Sequence, residues 1–263
     1  MKNGVPRSST EKTMLSLQAT LKFFRNVQPN APFLGRLDTF IKEVQDGIHE
    51  RSYTIGAPKI IPKLKEDKAS LTKKNICRPI ASFGLKDKLI LSIVNRYLTE
   101  LLDPFFIDHS FAFRSKRMIK GKMICPTHHE PVEEILDYRK RFEEGNLYVA
   151  ECDMMKFFDT VNHSLIKKIF SQLFNRKGME NHSPKDLADA KRILNDYLES
   201  YTFNKSVLPL NHKQAHFDKF HIPKGEYAWV GKELIADGHY KRLSSAKIGI
   251  PQGGALSGLI ANA

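Results

Sequence analysis

Cysteine is scarce in this chain of 263 residues: three are present, Cys77, Cys125 and Cys152, with no regular spacing. That excludes a disulfide framework and fits a reducing compartment. No apolar run approaches the roughly 20 residues a membrane span requires. The N-terminus also lacks the positive-then-apolar order of a signal peptide, so a cytoplasmic location without membrane attachment is the expectation. There are no internal repeats. Acidic residues are outnumbered, 29 against 42 basic, which leaves a formal net charge of +13. Such an excess favours a polyanionic partner, because phosphates neutralised by Lys or Arg release their condensed counterions. A merely soluble basic protein is the alternative that charge alone leaves open. The apolar content, 41%, suffices for real cores in one large or two modest domains, and excludes wholesale disorder.

Periodicity supplies the elements. Ser8-x-x-Glu11 is a capping box for a helix to about Val27, and Phe33, Leu34, Leu37, Phe40, Ile41, Val44 and Ile48 recur at helical spacing for a second. Gly56 and Pro58 close that region. Lys59 to Lys63 and Leu71 to Ile80 then read as two strands around a charged tip, Glu66 to Ser70. Leu89, Ile90, Ile93, Val94, Tyr97, Leu98, Leu101 and Leu102 predict an amphipathic core helix ending before Asp103-Pro104. A more charged helix, Pro131 to Glu144, stops at Gly145-Asn146 and leads into Tyr148-Val149-Ala150-Glu151-Cys152-Asp153, read as a buried strand that delivers an acid to a cleft. Helices follow at His163 to Phe174 and Ser183 to Tyr201. Residues 204–246 show no clear period and are long for a connection, so they read as an insertion.

Four ordered blocks carry chemistry: Cys77-Arg78-Pro79-Ile80; Phe111-Ala112-Phe113-Arg114 after Phe106 and Ser110; Asp153 with Phe157-Phe158-Asp159; and Pro251-Gln252-Gly253-Gly254 followed by Ser257. Together they resemble the reverse transcriptases of bacterial group II introns, retrons and related antiviral defence systems. The resemblance runs from about Lys59 to Ala263 and places no block in the N-terminal helices or in 175–247. It implies an α+β chain, right-hand polymerase fingers with a partial palm of helices and antiparallel sheet. Residues 1–100 would be fingers with N-terminal helices, 101–160 the first part of the palm, 161–247 a helical fingers segment with the insertion, and 248–263 the start of the glycine-rich palm motif. The implied activity of the intact parent is RNA-directed DNA polymerisation, with Mg2+ as cofactor. RNA template, DNA primer or product and deoxynucleoside triphosphates would be its partners. A non-catalytic RNA-binding module, or a template-independent or RNA-making polymerase on the same palm, is the alternative. The family's Asp-Asp hairpin does not occur in this sequence, so the chain by itself is expected to be inactive, the N-terminal portion of a longer enzyme.

By the same resemblance Asp153 is the catalytic metal ligand, with the Met154 backbone carbonyl as the second contribution. Magnesium takes oxygen ligands, and two such ions usually serve this chemistry. Asp153 as the cap of a following helix is the competing reading. Phe158, five residues on, would lie beneath the incoming sugar and exclude a 2′-hydroxyl, whereas Phe157 suits a core role. Asp159 reads as a helix N-cap or surface contact rather than a ligand. Arg78 would grip triphosphate oxygens with its planar guanidinium, and Lys63 would add a point charge, a task open also to Lys65 or Lys73. Gln252 can donate and accept near the nucleotide, and Gly253 lets the backbone approach it. Gly258 stands where the family usually has proline. Cys125, His128 and His129, and His212, His216 and His221, match no zinc spacing and read as solvated loop histidines. The basic runs Lys116, Arg117, Lys120, Lys122 and Lys241, Arg242, Lys247 could follow a nucleic-acid backbone or form a solvated face.

Overall fold

In a computed structural model, residues 35–65, 74–115, 117–119, 122–124, 129–142, 148–154, 156–229, 236, 238 and 246–263 are described. The first predicted helix, the hairpin tip with Lys73, Cys125 and His128, and Lys241 and Arg242 lie outside them.

The order of elements is α1 (Leu37–His49), β1 (Lys59–Leu64), β2 (Asn75–Ser82), α2 (Leu85–Leu102), β3 (Arg117–Ile119), β4 (Lys122–Ile124) and α3 (His129–Lys140). There follow α4 (Phe157–Thr160), α5 (His163–Phe174), α6 (Pro184–Glu199), α7 (Gln214–Asp218), β5 (Gly225–Tyr227) and α8 (Ser257–Asn262), with short 3₁₀ and π turns between them. Helical spacing is realised where it was strong. Phe40 and Val44 of α1 are buried, and α2 inserts Leu89, Ile90, Leu91, Val94, Leu98, Leu101 and Leu102 into the core. One continuous apolar cluster runs from Phe40 to Ile260, joining α1, the hairpin, α2, α5, α6 and α8.

β1 and β2 pair antiparallel with Lys63 opposite Arg78 and Ile61 opposite Ile80. Alternation then sorts the two faces: Ile60, Pro62, Cys77, Pro79 and Ala81 are buried, and Lys59, Lys63 and Arg78 look outward. The third strand of this sheet is β5, parallel to β2 with Cys77 beside Tyr227. It comes from the 204–246 stretch read as an insertion, where three residues are too few to leave a periodic signal. Asn211 secures it by accepting from the Tyr227 N–H at 2.8 Å and donating to the Tyr227 carbonyl at 2.9 Å.

The stretch before Asp153 corrects the sequence reading. Residues 148–154 form no strand, and Tyr148 and Val149 are 91% and 88% exposed. A β-branched run becomes a strand when a neighbour satisfies its N–H and C=O groups. Among the described residues no ladder partner adjoins it. Helix α3 ahead of it buries none of its side chains and leaves Val132, Ile135, Leu136 and Tyr138 exposed.

Candidate functional site

The outward face of the β1–β2 hairpin carries Lys63 and Arg78 directly across from each other, with Lys65 two residues beyond Lys63 on the same face. On the far side of β2 the backbone of Gln252 runs beside Ile80, and its carbonyl accepts the Ala81 N–H at 2.8 Å. β5 occupies the same side from Asn75 to Cys77, so its continuation at Ala228 lies next to Arg78. Lys156 reaches this point: its ammonium donates to the Ala228 carbonyl at 3.1 Å and stands 3.6 Å from Oδ2 of Asp159. The other oxygen of Asp159 accepts Nε2 of Gln252 at 2.8 Å.

Local backbone fixes these positions. Lys156 adopts a left-handed conformation, φ 61°, that starts the single turn of α4. The segment after it runs antiparallel to the approach to Gln252: the Ile250 N–H donates to the Phe158 carbonyl at 2.7 Å, Gly249 to Val161 at 2.8 Å and His163 to Lys247 at 3.0 Å. Gly249 must be glycine, since its φ is 81° and a Cβ would lie 2.8 Å from Phe203 and 2.9 Å from the Asp159 carbonyl. Beyond the turn, Oγ of Ser257 donates to the Pro251 carbonyl at 2.5 Å and sits 2.7 Å from the Tyr197 hydroxyl. That hydroxyl fills the space a Cβ on Gly254 would need.

Electrostatics follow from this geometry. Burial pushes the Asp159 carboxyl up from its ordinary value, outweighing the Gln252 hydrogen bond and the Lys156 charge that pull it down. Burial lowers Lys156, and the positive charges of Lys65 and Arg78 add to that against the opposing pull of Asp159. Lys156 and Lys65 thus place positive charge near one buried carboxylate, and Arg78 adds its own near Lys156. Such a concentration of charge suits a phosphate-bearing ligand.

Of the residues singled out in the sequence, the structure gathers Lys63, Arg78, Gln252 and Gly253, the last at φ 83° with a Cβ position 3.4 Å from Ile80. Phe158 is half-buried, edge-on to Phe157 with ring centres 5.4 Å apart, and its carbonyl is tied to Ile250. Asp153 is exposed, and among the described residues no hydrogen bond or ion pair joins it to Lys63, Arg78 or Gln252. The Met154 carbonyl accepts the Phe157 N–H at 3.3 Å. For magnesium the donor set falls short. Asp153 offers one carboxylate, and among the described residues no three of His, Cys, Asp and Glu converge on a point. These residues do not form a two-metal centre by themselves. Asp159 corrects its reading as a cap or surface contact: it is 3% exposed and holds the Gln252 side chain. Lys156, given no role by the sequence, is held by Asp159 three residues on and by the Ala228 carbonyl 72 residues away. His216, far from any metal geometry, bonds to the Tyr227 hydroxyl at 2.8 Å.

No family model matches the chain. It is similar to a Saccharomyces cerevisiae protein named "Putative COX1/OXI3 intron 1 protein", 29% identical over 101 residues. The match covers 38% of this chain and 11% of that protein. The relative is thus a yeast intron protein rather than a bacterial one.

Proposed function

We propose that this chain is the nucleotide-binding part of an intron-encoded RNA-directed DNA polymerase. Its fingers would be built on the β1–β2 hairpin, and a partial palm on α4 and the Gln252 turn. The observation that carries this reading is the placement of Lys63 opposite Arg78 on the hairpin, of Lys65 and Arg78 near Lys156, and of Lys156 and Gln252 on the two oxygens of Asp159. Cations beside an amide suit a triphosphate and the sugar that follows it. Similarity to an intron protein agrees with it. RNA template and DNA primer would follow the surrounding positive surface. Magnesium, which this chemistry calls for, would need carboxylates beyond Asp153.

Binding of dATP, dAMP and deoxyadenosine to the chain, followed by calorimetry, tests the reading. Affinity should rise with the number of phosphates, and Arg78→Ala should weaken dATP by about tenfold or more, the worth of a charge-assisted hydrogen bond. Lys63→Ala should weaken it less, because a flexible ammonium contributes only a point charge. Equal affinity for dATP and deoxyadenosine, beside clear RNA binding, would instead favour an RNA-binding module.

A further inference from the structure

Asp159 is used by neither the phosphate end nor the sugar end of the proposed site, yet it is among the most buried charged groups of the described residues, at 3% exposure. Its two oxygens are divided between two groups of that site. Oδ1 accepts from Nε2 of Gln252 at 2.8 Å, and Oδ2 faces the Lys156 ammonium at 3.6 Å. An ionised carboxylate only accepts hydrogen bonds, so it imposes a direction on an amide that could otherwise turn over. The Gln252 nitrogen must point inward, and its oxygen is then the atom offered toward the ligand.

We infer that Asp159 is a positioning residue that fixes the polarity of Gln252, so that the site presents a carbonyl acceptor to a hydroxyl donor on the sugar of a bound nucleotide. The same carboxylate holds Lys156 against the Ala228 carbonyl, beside Arg78. Sugar recognition and phosphate recognition therefore share one buried anchor. The inference rests on the nucleotide-site reading above and adds to it a residue and a hydroxyl preference.

Asp159→Asn tests it, because the change keeps the shape but allows its own NH2 to face Gln252. The amide then turns over and presents a donor. Two readouts apply to the full chain. In 15N-edited spectra, Asp159→Asn should move the Gln252 side-chain amide signals, assigned by their loss in Gln252→Leu. In binding assays, the wild type should prefer dATP to its 2′,3′-dideoxy analogue by about fivefold, one neutral hydrogen bond. Asp159→Asn and Gln252→Leu should both erase that preference; Gln252→Leu, which leaves Lys156 with its carboxylate, should keep the preference for triphosphate over monophosphate, and Asp159→Asn should lessen it. Unmoved Gln252 signals, or an undiminished hydroxyl preference in Asp159→Asn, would overturn the inference and leave the nucleotide site standing. If the signals move but no nucleotide binds the wild type, the nucleotide site is wrong, the hydroxyl preference falls with it, and only the amide's orientation survives. Should Asp159→Asn fail to fold, Gln252→Leu decides: it leaves the buried carboxylate with Lys156, and a preserved hydroxyl preference there would be equally fatal.

Discussion

His163 places an imidazole at 1% exposure with Nε2 2.6 Å from the Gly249 carbonyl. A carbonyl can only accept, so Nε2 carries the proton, and Nδ1 is left buried without a hydrogen-bond partner among the described residues. Burial lowers the pKa of this ring below its ordinary 6.5, and the nearby Lys167 and Lys247 act in the same sense, against the Gly249 bond and Glu199. The folded state therefore holds His163 neutral while the unfolded chain takes up a proton. Its contribution to stability is present above about pH 6.5 and is lost as pH falls. Buried Asp159, raised by desolvation, works in the opposite direction at lower pH, so the comparison must be differential. Urea unfolding between about pH 7.5 and 6 should show the wild type losing more stability than His163→Gln, whose Nε2 can donate to the same carbonyl. Parallel curves would clear His163 of the effect.

At the scale of elements, Arg114 shows how a motif residue can be structural. Its Nε donates to Oδ1 of Asp103 at 2.8 Å, and Nη1 donates to the carbonyls of Ile107 and Ser110 at 2.6 and 2.7 Å. The Ser115 N–H donates to the same Asp103 oxygen at 2.8 Å, so one guanidinium and one carboxylate close the whole loop after α2. Burial would raise Asp103, but the Arg114 and Ser115 hydrogen bonds prevail and hold it low. The closed loop lays the ring of Phe113 over Gly258 of α8, 2.4 Å from where a Cβ would stand. The ion pair is buried, with side chains 3% and 9% exposed. Removing one partner strands the other charge, so Arg114→Ala should cost roughly 3–5 kcal/mol in urea unfolding. Arg114→Lys should recover only part of this, since an ammonium cannot match the fork. A loss under about 1 kcal/mol would mean that the pair is solvated in solution, as exposed pairs are.

For the whole molecule, a net charge of +13 sets the long-range behaviour. Among the described residues no helix is long and apolar enough to cross a membrane. The cations of the hairpin face outward rather than pairing across the sheet, because Lys63 stands opposite Arg78. Like charges directly opposed weaken a sheet, and a polyanion would relieve that repulsion. Single-stranded RNA should bind with an affinity that falls steeply with salt, by a log–log slope of about −0.7 per phosphate neutralised. Fluorescence anisotropy across a salt series measures it, and a flat response, or no binding at low salt, would remove nucleic acid as the partner of this surface.

Amphipathic spacing alone determined α1, α2, α5 and α6, because their apolar stripes are local and long enough to leave a period. The hairpin was legible as two apolar runs around a charged tip, whereas Lys63 and Arg78 stood out only by resemblance and their outward face came from the pairing. Tertiary structure decided the rest. Whether residues 148–154 form a strand depends on a neighbour that local sequence does not specify. Three residues, Gly225–Tyr227, became a strand through β2, which lies about 150 positions earlier. The role of Asp159 was likewise invisible, because the amide it orients is 93 residues away and burial, not spacing, makes that hydrogen bond matter.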